Sequence, residues 1–150
     1  MRVRMNDIDI RRARPGDFVA VTSLLRGARL PVEDLGEERM ADFFIASRGD
    51  SPAGAIGVEM FSHVGLLRSL VVDPESRAEG IGRLLVAALE AHARCHGLTE
   101  LWLLTIDADR YFRALGYTAK ERSEAPSAIR ETAEFSRLCP GTAVLMWKAL

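Results

Sequence analysis

Cysteine is scarce in this sequence: Cys95 and Cys139 are the only two in 150 residues, too few for a disulfide framework. Lysine is equally scarce, since every basic residue except Lys120 and Lys148 is arginine. Acid and base nearly cancel, at a formal net charge of −1, so no global positive field exists to hold a nucleic acid. No apolar run approaches the ~18–20 residues that a membrane-spanning helix requires, and no secretory leader is legible. Together these absences lead to the expectation of a reduced, cytoplasmic protein whose partners are neither nucleic acid nor membrane. Repeats, low-complexity tracts and linkers are missing too. A chain of this length with 48% hydrophobic residues reads as one domain over 1–150.

What is present is periodicity that changes along the chain. Ile8 and Ile10 alternate with polar residues up to Pro15-Gly16, a strand pattern with a stop. Asp17 is placed to cap a helix carrying Phe18, Val21, Leu24 and Leu25, and Pro31 separates it from a second short helix. Strands are expected at 42–49 and 55–61, joined by Asp50, Ser51, Pro52 and Gly54, and at 65–72. If Phe61 faces Leu66 across the intervening loop, Glu59 stands opposite Arg68. Between Gly80 and Gly97 the apolar residues form a helical stripe that includes His92 and Cys95. A strand at 99–105, a short helix at 107–117, a helix at 126–138 and a last strand at 143–150 follow. Such an order suits a mixed α+β or α/β sheet with helices on both faces, and a parallel crossover over 65–105.

The stretch VVDPESRAEGIGRLL (71–85) passes from strand pattern through a polar loop into that helix. A helix start exposes unpaired amides with partial positive charge, which makes it an anion site, for phosphate above all. Glycine at 80 and 82 lets the backbone approach such an anion, with Arg77 as a further donor; tight helix–sheet packing is the competing explanation. The Walker pattern is absent, which excludes an NTPase loop of that kind. A dinucleotide fingerprint fails as well, because residues 73–79 part Val72 from Gly80 and Leu85 stands at the third glycine position. The pattern R-x-x-G-x-G is met by Arg77, Gly80 and Gly82, after the step Val72-Asp73-Pro74.

On that loop, on the order of elements around it and on the phrase YFRALGY (111–117), the sequence resembles the GNAT superfamily of N-acetyltransferases. FRALGY and the closing segment PSAIRETAEFSRLCPGTAVLMWK (126–148) are similar to acetyltransferases of arsenic-resistance operons. The resemblance implies a central mixed, mostly antiparallel twisted sheet with a splayed strand pair, against which acetyl-CoA lies as cosubstrate. Cofactor contacts are then implied for Leu70, Val71 and Val72, for the loop and helix start Arg77, Ala78, Glu79, Gly80, Ile81, Gly82 and Arg83, and for Ala108 and Tyr111. Leu70 and Val72 would bind through main-chain atoms. The amide near Val72 would polarise the thioester carbonyl; one such donor is worth about 3 kcal/mol in the transition state. Superfamily members often pair through their last strands, which makes a homodimer the expectation.

Acetyl transfer to an amine also needs a base and a fate for the departing thiolate. The acid familiar in the superfamily is a tyrosine, and Phe112 stands in its place. A thiol of pKa about 8.5 gives a thiolate that leaves without much help, so Tyr117, a water or no acid at all remain as readings. Ala78 and Glu79 also replace a usual glycine and a basic residue. Glu59 is the first candidate base, acting through water, and its alternative is an ion pair with Arg68. Arg68, on an otherwise apolar strand, points to an anionic acceptor. Asp34, Thr105 and Phe112 complete the residues expected near the acceptor. His92, Cys95 and His96 lie on one helix without further ligands, so no metal is expected, and Cys139 without a histidine partner reads as packing. The expected activity is N-acetylation of a small, anionic amine such as an amino-acid-like arsenical or antibiotic. Acetylation of a protein amine, and an acyl-CoA sensor without turnover, favoured by Phe112, stay open.

Overall fold

A strand precedes the one that the alternation at Ile8 and Ile10 marks. Arg2–Met5 (β1) pairs antiparallel with Ile8–Arg12 (β2) across a turn in which Asp7 has φ +71°, a left-handed conformation that aspartate adopts more readily than most residues. The computed structural model describes residues 2–5, 7–77 and 80–150. The chain forms two compact units, Met1–Val58 with Ser69–His92, and Glu59–Arg68 with Ala93–Leu150.

In the first unit the chain continues through α1 (Phe18–Gly27), β3 (Phe43–Arg48) and β4 (Ser51–Phe61), then returns as the end of β5 (Val64–Val72) and most of α2 (Ile81–Cys95). Its strands lie in the order β1-β2-β3-β4-β5, antiparallel from β1 to β4. The helical spacing of Val21 and Leu25 turns one face of α1 onto Met40, Phe43, Ile45, Ala55 and Val71. Each such buried aliphatic side chain contributes roughly 1.5–3 kcal/mol.

The second unit holds the start of β5, β6 (Glu100–Thr105), α3 (Asp109–Ala114), β7 (Thr118–Lys120), α4 (Ser127–Arg130) and β8 (Val144–Ala149). Its order is β5-β6-β8-β7. β5 and β6 run parallel over Val64–Glu100, Gly65–Leu101 and Leu66–Trp102, and the other pairs are antiparallel. Val64, Leu66, Trp102, Ile129 and Leu145 make its core. The sheet is therefore mixed, with helices, as the order of elements predicts, and mostly antiparallel, as the family resemblance implies.

Four local expectations are corrected. Asp17 does not cap α1 from outside; it ends a 3-10 turn, where its carboxylate accepts the Arg14 amide at 2.7 Å. The second helix is a 3-10 segment, Glu37–Asp42. The β3–β4 turn is confined to Gly49 and Asp50, and Pro52 sits within β4 opposite Ser47, beside a register shift, one of the few strand positions open to proline. The β4–β5 turn is Ser62 and His63, shorter than the loop expected there.

The largest correction falls on 126–138, which is not one helix. α4 ends at Arg130, and Thr132 Oγ1 donates to the Ile129 carbonyl at 2.7 Å while accepting the Phe135 amide at 3.3 Å. Threonine hydroxyls offer the backbone such alternatives to the helical ladder. Glu134–Leu138 then form a π-helical turn, a rare conformation met mostly at functional sites. On a continuous helix Glu134 would point about 140° away from the buried Ile129. Here it is 4% exposed. Among the described residues no helix is long and apolar enough to cross a membrane.

Candidate functional site

The end of β5 and the loop after it wall a cavity of ≈ 410 Å³ in the first unit. One side is the small-residue face of α1, with Ala20, Ser23, Gly27 and Ala28; the other is Val71, Val72, Asp73, Pro74 and Arg77. Backbone bonds set the loop. The Asp73 amide donates to the Ala53 carbonyl at 2.8 Å, and Ser76 donates to Asp73 at 2.9 Å to close a 3-10 turn begun by Pro74. Arg77 is exposed, and its Nε donates to the Val72 carbonyl at 3.3 Å, which draws the guanidinium over the end of the strand. Leu70 and Val72 are half-buried and Val71 is buried against α1.

Gly80 has φ +80°, a conformation that costs most other residues, and a Cβ built there would meet nothing within 4 Å among the described residues. The sequence reading gave Gly80 a ligand-approach role; the backbone adds a conformational one. α2 begins immediately after it at Ile81, with Leu84 bonded back to the Gly80 carbonyl at 3.2 Å. The amides of Ile81, Gly82 and Arg83 precede the intrahelical ladder. Gly82 is buried and Arg83 exposed. Ala78 and Glu79 lie outside the described residues.

In the second unit Arg68 Nη1 donates to Glu59 Oε2 at 2.9 Å, so the pairing read from the sequence forms. A second carboxylate joins it: Glu134 Oε1 is 3.3 Å from Arg68 Nη2. The Arg68 side chain is fully enclosed, at 0% exposure. A guanidinium already engaged by two carboxylates gives no support to its reading as the anchor of an anionic acceptor. Glu134 was not singled out by sequence reasoning. The local signal is hidden, because a glutamate in a helical pattern reads as a solvated residue until the π turn and its distant partner on β5 are known.

β5 carries a backbone irregularity next to Arg68. Ser69 has φ +61° in the middle of the strand, which for a non-glycine residue costs on the order of 1–3 kcal/mol. Backbone outliers of this kind gather at functional sites.

The remaining candidates are scattered. Thr105 Oγ1 accepts the Ala108 amide at 3.0 Å, so its oxygen serves the start of α3. Tyr111 is exposed and meets Phe112 edge-on. Phe112, 5% exposed, packs edge-on against Tyr117, itself 1% exposed, with Lys148 Nζ 5.4 Å from the Tyr117 ring centre. That enclosure lends no support to Tyr117 as an acid or to Phe112 as an acceptor contact. Asp34 is half-buried in the loop before the 3-10 segment. His92 faces Asp42 at 3.3 Å and Phe44 edge-on, while Cys95 is exposed. Among the described residues no three His, Cys, Asp or Glu side chains are placed to hold a metal ion.

The family profile described as acetyltransferase (GNAT) family matches residues 16–118. An uncharacterized N-acetyltransferase of Chlorobaculum tepidum is 30% identical over 131 residues, 82% of this chain and 83% of its own. An amino-acid acetyltransferase of Neisseria meningitidis is 24% identical over 136 residues, 83% of this chain. The chain spans only 30% of that relative's length. Among solved structures, N-acetylglutamate synthase from Neisseria gonorrhoeae, complexed with coenzyme A and L-arginine, matches with a TM-score of 0.83 at 21% identity, over 97% of this chain and 34% of that one. A Mycobacterium tuberculosis protein in complex with CoA matches with a TM-score of 0.79 at 24% identity, over 94% of this chain and 98% of that one. These two likenesses show the fold.

Proposed function

This chain belongs to the acetyltransferase (GNAT) family, and we propose that it moves an acetyl group from acetyl-CoA to the amine of a small, amino-acid-like acceptor. The observation that carries the proposal is the cavity beside Val71, Val72 and Arg77, followed by a left-handed glycine and a helix start. Its volume lies within the range of small-molecule sites. The donor set suits a phosphorylated thioester: an exposed guanidinium, a helix N-terminus that favours anions, and an apolar wall for an uncharged arm. Among the described residues nothing stands within 4 Å of a Cβ built at Gly80, which favours approach to the backbone there.

When bound, the cosubstrate supplies an acyl group activated toward amines and a thiolate leaving group. Arg77, Gly80, Ile81, Gly82 and Arg83 would hold its diphosphate, and Leu70, Val71 and Val72 would line the arm. The amide near Val72 is assigned to the developing oxyanion. Glu59 is assigned to take the proton that the acceptor amine must lose, through water, since its side chain is 9% exposed. Thiolate departure then needs no side-chain acid, in keeping with Phe112 at the usual tyrosine place.

The acceptor class is supported by the names of the amino-acid acetyltransferases among the relatives. An anionic acceptor drawn from resistance chemistry, an arsenical or antibiotic, is the narrower form of the proposal and rests on the resemblance of 126–148. An acyl-CoA sensor is the second reading, favoured by the burial of both Phe112 and Tyr117. Free-thiol release from acetyl-CoA, with a panel of amino acids, polyamines and peptides, separates these. Release that depends on an amino acid is expected; micromolar cofactor binding with no release on any amine would establish the sensor.

A further inference from the structure

The glycine of α1 is not the residue on which the helix stops. The left-handed residue after the helix is Arg29, with φ +59°, a place where helices commonly use glycine. Gly27 stands two positions earlier, as the last residue of α1, and is not among the left-handed residues. In right-handed helical backbone a glycine costs stability against alanine. Crowding does not demand it either, since a Cβ built at Gly27 meets nothing within 4 Å among the described residues. Neither the turn nor the packing accounts for it.

Gly27 does border the cavity, together with Ala20, Ser23, Leu24 and Ala28. Positions 20, 23, 24 and 27 lie along one side of a helix, so a side chain at 27 would extend along that wall. Without one, the backbone of the last turn is approachable. Charge then decides what approaches it. The carbonyl end of a helix carries partial negative charge, and α1 presents that end to the cavity through Gly27 and Ala28. The other wall holds the exposed Arg77. A diphosphate is drawn to Arg77 and repelled by the end of α1. An uncharged arm with amide and hydroxyl donors suits the end of α1, where the exposed Ser23 hydroxyl, one turn back, can accept or donate.

We infer that the last turn of α1 is a binding wall for the arm of the cosubstrate: Gly27 lacks a side chain so that the arm's amide and hydroxyl groups reach the helix backbone, while the diphosphate lies toward Arg77. The inference rests on the reading of the cavity as the cosubstrate site.

Gly27→Ala and Gly27→Leu test it as a size series at a position where the fold has room. Both are expected to leave the thermal midpoint unchanged or higher, because each replaces glycine in right-handed helix. In calorimetric titration coenzyme A is expected to bind Gly27→Leu about tenfold more weakly than the parent, near the worth of one hydrogen bond, with Gly27→Ala in between. Because the arm is uncharged, that ratio should be the same at low and high salt, unlike a contact to the diphosphate. Unchanged affinity in Gly27→Leu, a loss that comes with a lower thermal midpoint, or a loss that shrinks with added salt would overturn the inference. The reading of the cavity fails by a different result, a parent chain that does not bind coenzyme A. Weaker binding by Arg77→Ala alongside full binding by Gly27→Leu would keep that reading and remove only the role of α1.

Discussion

Asp17 holds Arg11 in a two-pronged ion pair, with oxygen–nitrogen distances of 2.8 and 3.0 Å. That contact joins β2 to the turn that opens α1. The hydrogen bond from Arg11 is the main reason the Asp17 carboxyl sits below its ordinary value, with burial opposing it and the Arg14 amide assisting.

A carboxyl whose folded value is depressed stabilises the fold above its unfolded value and loses that contribution as pH falls through the folded one. Asp17→Asn is therefore expected to cost about 1–2 kcal/mol at pH 7, the scale of a hydrogen bond to a charged group. The gap between variant and parent should close as pH drops below about 4, the unfolded carboxylate range. Urea unfolding at neutral and acid pH measures both. An equal gap at the two pH values would mean that the charge is not the source.

Gly54 is kept small by its neighbours. A Cβ there would stand 2.8 Å from the Val71 carbonyl oxygen and 3.1 Å from Leu85 Cδ1. Gly54→Ala must push β5 or α2 outward, at a cost of about 1–3 kcal/mol. Because Val71 walls the cavity, the variant should also bind coenzyme A more weakly. Thermal melting and calorimetric titration report the two effects separately.

Arg68 meets both Glu59 and Glu134, at 2.9 and 3.3 Å. Arg68→Ala removes a cation that two enclosed carboxylates meet, and the expected loss is about 3–5 kcal/mol, read from the urea midpoint. Arg68→Lys offers one compact charge in place of a fork, and it should recover part of that stability without recovering kcat. Full recovery of both by lysine would remove the argument from fork geometry.

Arg77 is exposed, and its Nε donates to the Val72 carbonyl. Arg77→Ala should leave stability within about 0.5 kcal/mol and weaken coenzyme A binding about tenfold, the loss of one charge-assisted contact at a solvated site. Added salt screens such a contact, so the difference between parent and variant should shrink at high ionic strength. Titration calorimetry at two salt concentrations decides it. Unchanged affinity at low salt would remove Arg77 from the diphosphate site.

Periodicity and turn residues are local signals, and they marked the helix after Asp17, the helix between Gly80 and Gly97, the strands from Ile8 to Val72, and β6 and β8. The loop at Arg77 was legible for the same reason: helix-start chemistry is written in a few consecutive residues. The Glu59–Arg68 partnership was legible because two strands joined by a short turn bring fixed positions together. Periodicity failed at 126–138, where the Thr132 side chain competes with the helical ladder and a π turn follows. It failed too at Gly80 and Ser69, whose left-handed backbones are set by what surrounds them. So the sequence alone determined most of the elements, their order and the glycine-bracketed loop before α2. Only the tertiary structure decided that Glu134 turns inward to share Arg68, since that choice depends on a partner far away in the chain and on solvent exclusion that no local pattern encodes.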